Sequence, residues 1–218
     1  NMYDLAHSNP EIMKREFGVI GEQLYAMSWG VDRSIIRNKY IPTAKSYSNS
    51  QVLNRDYYDQ RQIEIVIREI GEQVAARIRA HDLRTGRIGL FIGYSFDSID
   101  LDHPRGGFKV QKKISPTNDN HDLTTQLIDL FRSKWRGEGV RNIGVDYGNL
   151  SLDTSQQFTL FVKPTLQVKR KTLDKTVDNL RKKYGFSSVV KASSLLPGAT
   201  AIKRSKLVGG HNGGNAYE

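Results

Sequence analysis

Lysine and amide side chains recur at every second position in one segment of the chain, "GFKVQKKIS". Lys109, Gln111 and Lys113 alternate there with apolar residues. A period of two is typical of a β-strand that buries one face and exposes the other. Ammonium and amide groups donate the hydrogen bonds that phosphate oxygens accept, and such contacts carry no base information. The pattern therefore predicts a sheet face that binds a nucleic-acid backbone, with a merely solvated face as the alternative.

Few other residues in the sequence form a pattern that is typical of a catalytic or metal-binding site. The acidic cluster Asp97, Asp100, Asp102 and His103 is predicted to be a polar connection between strands, because it lacks the glycine hinge and terminal glutamate of an EF-hand loop. The chain has no cysteine, its five histidines are scattered, and no P-loop, GxSxG or HExxH motif is present. We therefore expect no active site, cofactor or metal site within these residues.

The surrounding elements would place the alternating lysines on one open face. The apolar periodicities predict the order β-α-β-β-α-β, an α+β fold in which two helices cover one face of a four-stranded sheet in a split βαβ arrangement. The predicted segments are "KSYSNSQVLNRDY", a helix from Ile63 to Ile78, "RIGLFIGYSF", "GFKVQKKIS", a helix from Leu123 to Trp135, and "GVRNIGVDYGNLS". Lys109, Gln111 and Lys113 would point away from the helices.

Helical segments flank this block on both sides. Asn9 is a predicted N-cap followed by Pro10, and Gly18 and Gly21 predict two short helices, or a helix and a turn, rather than one long helix. The expected organisation is a helical segment at 1–30, a linker at 31–44, the sheet domain at 45–150, a loop at 151–164 and a basic helical tail at 165–218. The tail helix would place Leu166, Leu173, Val177, Leu180 and Tyr184 on one face and stop at Gly185.

Composition narrows the class of partner. The 218 residues carry a net charge of +10, the pI is about 9.7, and hydrophobic residues make up 38% of the chain. The positive excess favours a polyanion, nucleic acid before a membrane surface. No apolar run is long enough to span a bilayer, and the lack of cysteine fits a reducing cytoplasm. The chain starts with Asn rather than Met, so we expect it to be part of a longer protein.

Several stretches together point to a known family. They are "KSYSNSQVLNRDY", "IVIREIGEQVAARIR", "SPTNDNHDLTTQLIDLFRSKW", "VRNIGVDYGNL" and "KRSKLVGGH". In this order they resemble the little finger domain of Y-family translesion DNA polymerases, in the UmuC-like (impB/mucB/samB) branch. The leading segment "LAHSNPEIMKREFGVIGEQLYAMSWGVD" resembles the end of the thumb domain of that family. The resemblance covers nearly the whole chain.

The resemblance implies a parent protein that copies damaged DNA, with Mg²⁺ held by carboxylates of a palm domain that these residues do not contain. This part alone is then expected to be inactive and to bind the DNA backbone through its sheet. The implied DNA-binding residues are Lys45, Ser46, Ser48, Asn49, Ser50, Lys109, Gln111, Lys113, Arg141 and Asn142. Arg141 shares strand parity with Ile143 and Val145, so a bulge or strand end is expected there.

A second implied partner is the sliding clamp. The stretch "TSQQFTLFVKP" contains Gln157, Phe158, Thr159, Leu160 and Phe161, which resemble the short clamp-binding peptide of bacterial polymerases, with Phe158 in place of the usual leucine. Leu160 and Phe161 would be the apolar anchors. Alternatively, these residues pack back on the domain or form a short edge strand. A similar stretch, "QLIDLF" at 126–131, is assigned to the core.

Two other classes of function stay open from the sequence. One is a stand-alone nucleic-acid-binding module with a ferredoxin-like fold, which would carry aromatic residues on its open sheet face; Phe91 is the candidate there. The other is an accessory protein that binds partners, such as other damage-response proteins, through the helix at 165–184. A membrane partner is not expected.

Overall fold

A computed structural model describes residues 1–35, 37, 45–98, 106–154 and 163–206. The chain divides into two compact units, Asn1–Thr43 and Ala44–Glu218, which are described separately. In the described part of the chain, every helix is too short or too polar to cross a membrane.

The first unit consists of three short helices, α1 (Met2–Ala6), α2 (Pro10–Phe17) and α3 (Val19–Ser28). The Asn9 side chain accepts a hydrogen bond from the Glu11 N–H (2.8 Å), so the predicted N-cap is confirmed. Gly18 separates α2 from α3 at a φ of +60°, which a glycine adopts without strain. Gly18 therefore divides this segment into two helices, as the sequence predicts, whereas Gly21 lies buried within α3.

The second unit is built on four antiparallel strands, β1 (Tyr47–Tyr57), β2 (Leu83–Tyr94), β3 (Gly107–Thr117) and β4 (Val140–Leu152), in the order β1-β4-β2-β3. Helices α4 (Gln60–Arg79) and α5 (Asn120–Lys134) follow β1 and β3. The last strand lies between β1 and β2, so the βαβ unit is split and the predicted α+β fold is confirmed.

One side of the sheet forms the core with the two helices. Its strands contribute Ile88, Leu90 and Ile92 from β2 and Ile143, Val145 and Tyr147 from β4, all essentially buried. The Tyr147 hydroxyl donates a hydrogen bond to the Gly71 carbonyl (3.1 Å), which satisfies its buried polar end. Asp59 and Asp119 cap α4 and α5 through backbone N–H groups. The alternate residues of the strands point to the opposite, helix-free side.

A third long helix, α6 (Pro164–Tyr184), ends at Gly185, where φ is +87°. The predicted apolar face does not pack: Leu173 and Tyr184 are each 62% exposed, and Leu166 and Leu180 are also exposed. Instead, a neighbouring polar side docks on the sheet domain through Asp174 and Asp178, which contact Arg79 of α4. Ion pairing therefore decides how α6 is oriented.

The end of the described chain also folds back on the domain. Residues Ala201–Arg204 form a short helix, α7. A Glu69 carboxylate oxygen accepts hydrogen bonds from the N–H groups of Thr200 and Ala201, both at 2.9 Å. Arg204 is buried and donates to Gln51 Oε1 of β1 at 2.8 Å. Burial lowers the pKa of Arg204, with the nearby Glu69 acting in the opposite direction.

Candidate nucleic-acid interface

The helix-free side of the sheet carries the residues whose chemistry the sequence singles out. Strand register aligns them in rows that cross all four strands. One row is Ser50, Gly144, Phe91 and Lys109, and the next is Ser48, Asp146, Gly89 and Gln111. Arg87 and Lys113 are paired beyond the second row. We call this side the open face.

The middle of the open face is low, and its two edges are higher. A depression of about 690 Å³ lies between the serines of β1 and the Lys109 and Gln111 side of β3. Its floor is flat because glycines occupy the central strands. A Cβ at Gly89 would overlap the Asp146 carboxylate, and one at Gly148 would overlap the Arg87 guanidinium. The two side chains therefore lie flat against the sheet.

Arg87 and Asp146 form an ion pair at the centre of the open face. The guanidinium of Arg87 donates to Asp146 Oδ2 at 2.7 Å, and both side chains are about one quarter exposed. The pair neutralises the floor of the depression, so the net positive charge comes from the edges. Lys109 and Lys113 of β3 and Lys45, just before β1, are all exposed. A polyanion approaching this face therefore meets lysine ammonium groups first.

Six of the ten predicted DNA-binding residues lie along the two edges of the open face. Ser46, Ser48 and Ser50 are exposed on the β1 side, and Lys109, Gln111 and Lys113 are exposed on β3. Same-face positions along a strand repeat about every 6.6 Å. This repeat is close to the distance between successive phosphates along one DNA strand. Hydroxyl, amide and ammonium donors are thus presented at a spacing that suits a phosphate backbone.

Asn49 is placed differently from the other predicted residues. It borders the depression, but it pairs with Val145 of the core-facing row, and its Nδ2 donates to Gln73 Oε1 of α4 at 2.7 Å. The strand alternation that exposes Ser48 and Ser50 turns Asn49 toward the helices. Its side chain is therefore engaged on the helix side of the sheet, and we leave it out of the interface.

Arg141 and Asn142 lie at a break in the ladder. Gly93 pairs with Asn142 but Tyr94 pairs with Val140, so Arg141 is the extra residue of a β-bulge, as its parity predicts. The bulge leaves Arg141 exposed, where its Nη1 contacts Asp56 Oδ1 at 3.2 Å. Asn142 is half-buried in the open-face row with Val52. Only Asn142 of the two belongs to the open face proper.

The sequence pattern did not single out four residues of the open face, Arg87, Asp146, Gly89 and Gly148. The signal was present in the parity: if Ile88, Leu90 and Ile92 face the core, then Arg87, Gly89 and Phe91 face outward. What parity does not give is the strand order, which brings Arg87 of β2 next to Asp146 of β4.

The resemblance to a polymerase raises the question of Mg²⁺. Among the described residues, one group of three side chains could share a cation, Asp119, His121 and Asp122 at the start of α5. Asp119 already caps α5, since its Oδ1 accepts a hydrogen bond from the Asp122 N–H at 2.9 Å. Burial raises the pKa of Asp122, which disfavours its charged form. This group does not fit a paired-carboxylate catalytic centre, and we assign no metal-dependent step to it.

The predicted clamp-binding residues, Gln157 to Phe161, lie outside the described residues. The similar stretch at 126–131 is described: Leu127 and Phe131 are fully buried in the core of the sheet domain, and Leu130 packs against that core. Its assignment to the core is confirmed. The described residues on either side, Thr154 and Lys163, are both exposed.

Comparison with known proteins identifies the family to which the sheet domain belongs. Residues 44–160 match the model of the impB/mucB/samB family C-terminal domain, which is more than half of the chain. The chain belongs to the impB/mucB/samB family. The matched residues contain the whole four-stranded sheet with α4 and α5, so the open face is part of the family's domain.

Relatives in the same family have names from DNA repair and DNA synthesis. UvrX of Bacillus subtilis, described as a UV-damage repair protein, is 36% identical over 202 residues, covering 92% of this chain and 47% of UvrX. DNA polymerase IV 2 of Bacillus subtilis is 28% identical, with the same shares of the two chains covered. DNA polymerase IV 2 of Halalkalibacterium halodurans is 26% identical over 95% of this chain and 49% of that protein. The chain thus spans about half the length of these relatives.

Proposed function

We propose that the chain is the DNA-binding, little finger part of an error-prone translesion polymerase that acts in damage tolerance, and that its open face binds the DNA backbone. The observation that carries this proposal is the arrangement of the open face. Serine, glutamine and lysine donors line its two edges, and a flat, glycine-rich floor lies between them. The family match and the relatives named as DNA polymerases support DNA as the polyanion.

The chemistry of the edges explains why such binding would tolerate damaged templates. Lysine ammonium groups and serine hydroxyls bind phosphate oxygens, which every nucleotide presents regardless of its base. A damaged base changes the groove edge but leaves the phosphate in place. A domain that holds the strands through phosphates therefore does not reject a lesion, and the template stays bound while synthesis continues.

The proposal predicts salt-dependent binding to DNA of any sequence. Each lysine that neutralises a phosphate releases a counterion, so log affinity should fall against log salt with a slope of about −3 or steeper, given Lys109 and Lys113 on β3 and Lys45 just before β1. The 218-residue chain would be titrated onto labelled primer–template duplexes of two unrelated sequences, from about 50 to 200 mM salt. Absent binding, or binding that does not respond to salt, would contradict the proposal.

We further propose that residues 157–161 tether the polymerase to the sliding clamp. Their composition supports this role, since Leu160 and Phe161 are apolar anchors next to Gln157. Anchor residues of such interfaces each contribute about 2 kcal/mol or more, so changing both to alanine should weaken clamp binding by more than about 100-fold.

The clamp prediction is measured by surface plasmon resonance with an immobilised bacterial sliding clamp. The matched control removes two exposed leucines elsewhere, Leu173→Ala with Leu180→Ala on α6, and should bind the clamp as the unmodified chain does. Unchanged clamp affinity in the Leu160→Ala, Phe161→Ala variant would show that the tether lies elsewhere. Equal losses in both double variants would point to α6 instead.

The catalytic centre and its Mg²⁺ belong, in this proposal, to a palm domain of the parent polymerase. The residues of the sheet domain bind and orient the primer–template, so that its end is held in place for the reaction. The open face performs no proton transfer and no bond making.

A further inference from the structure

Among the residues that the structure describes, Phe91 is the one large apolar side chain on the central strands of the open face. It is 38% exposed, although the residues on either side of it in β2, Leu90 and Ile92, are fully buried. Its row partners are Gly144 on one side and Lys109 on the other. The ring lies along the sheet over Gly93, where a Cβ would contact it at 3.5 Å. A phenylalanine that is held flat over glycines presents one ring face to the solvent.

The position of the ring relative to Lys109 suggests what it contacts. Adjacent strands lie about 4.8 Å apart, so the ring is one strand spacing inward from the lysine in the same row. When an edge lysine holds a phosphate, the next part of that nucleotide toward the middle of the face is its sugar or base. Both present apolar C–H or π surface, which stacks well on an aromatic ring.

We infer that Phe91 is a nucleoside-stacking residue of the open face, which contacts the sugar or base of the nucleotide whose phosphate Lys109 binds. The inference rests on the proposed DNA-binding function and adds a contact of a different kind. Phosphate contacts weaken as salt rises, because they depend on counterion release. Stacking releases no counterion, so it holds DNA equally at low and high salt. Phe91 therefore supplies the part of the affinity that survives high salt.

The test separates the two kinds of contact by their salt response. Phe91→Ala should lower the affinity of the 218-residue chain for labelled DNA by roughly tenfold at every salt concentration, with the slope of log affinity against log salt unchanged. Lys109→Ala should instead reduce that slope by about 1. Phe91→Tyr keeps the ring and should bind like the unmodified chain. Thermal unfolding of all three variants checks that the fold is intact.

The two possible contacts are distinguished by the DNA used. An equal loss on duplex and single-stranded DNA assigns the contact to the sugar, whereas a loss confined to single-stranded DNA assigns it to an unpaired base. If folded Phe91→Ala binds both as well as the unmodified chain does, or if its loss appears as a shallower salt slope, the inference is wrong. Loss of affinity in Phe91→Tyr equal to that in Phe91→Ala would also overturn it. Absent DNA binding by the unmodified chain would instead contradict the proposed function.

Discussion

Replacing Lys45, Lys109 and Lys113 together with alanine should weaken DNA binding by roughly 100-fold at moderate salt. Lys109 and Lys113 are exposed at the β3 edge of the open face, and Lys45 is exposed just before β1. Each would form an exposed ion pair with a phosphate. Such pairs contribute up to about 1 kcal/mol each, so three together reach about 3 kcal/mol. The salt slope should become shallower by about 3, because three counterions are no longer released.

The control for this triple variant removes the same charge from another surface. Lys134 lies on α5, and Lys175 and Lys182 lie on the solvent side of α6; all three are exposed. Changing these to alanine lowers the net charge by the same three units but should shift DNA affinity only a few-fold, through the long-range field. Equal losses in the two triple variants would show that total charge, not the open face, determines binding.

A substitution in the Arg87–Asp146 ion pair should have the opposite effect and strengthen DNA binding. Asp146→Asn removes a negative charge from the floor and releases Arg87 from a 2.7 Å contact. DNA affinity should then rise several-fold, and the salt slope should become steeper by about 1, since one more cation is available to phosphate. A lower affinity in Asp146→Asn would indicate that the ion pair is needed to keep the face flat, and it would argue against phosphate binding at the floor.

The fold was largely predictable because its signals are local. Ile63, Val66, Ile67 and Ile70 mark α4 by helical spacing, and the alternation around Lys109 marks β3. The strand parity of Arg141 also predicts an irregularity at that position, and the strand pairing shows a β-bulge there. Each of these depends on neighbours a few residues apart, which the sequence displays directly.

The contents of the site were less predictable because they depend on contacts between distant segments. Asn49 turns toward Gln73, 24 positions along the chain, and Arg87 meets Asp146 only because β4 lies beside β2. The orientation of α6 is the clearest case. Its apolar stripe indicates a buried face, yet the helix docks by its polar side. The spacing of apolar residues in α6 gives no sign of the buried arginine on α4, Arg79, whose ion pairs set the orientation of the helix.

That arginine carries the prediction with the largest effect on stability. The side chain of Arg79 is only 4% exposed. It donates to both carboxylate oxygens of Asp178 (2.6 and 3.1 Å), to the Asn118 carbonyl (2.8 Å) and to Asn120 Oδ1 (3.0 Å). Arg79→Met removes the guanidinium charge, so the partly buried carboxylates of Asp174 and Asp178 on α6 lose their cationic partner. Breaking a buried pair in this way costs about 3 to 5 kcal/mol.

The pH dependence of that loss follows from Asp174. Burial raises the pKa of its carboxyl group, while hydrogen bonds from Asn120 and the Arg79 charge lower it. Without Arg79, the pKa of Asp174 in the folded state rises further above its unfolded value. The folded variant then binds more protons than the unfolded chain does, so its stability falls as the pH rises through that range. The loss in the free energy of unfolding of Arg79→Met, relative to the unmodified protein, should be largest at pH 7 and smaller at acidic pH.

The expected result is a free energy of unfolding about 3 kcal/mol lower at neutral pH, or a Tm about 10 °C lower for a chain of this size. Chemical denaturation at several pH values measures it, and hydrogen exchange should show faster exchange along α6 than along α4. Arg61→Met, on the exposed first turn of α4, is the matched control and should change stability by less than about 0.5 kcal/mol. An Arg79→Met variant as stable as Arg61→Met, with unchanged exchange along α6, would mean that ion pairing does not hold this helix.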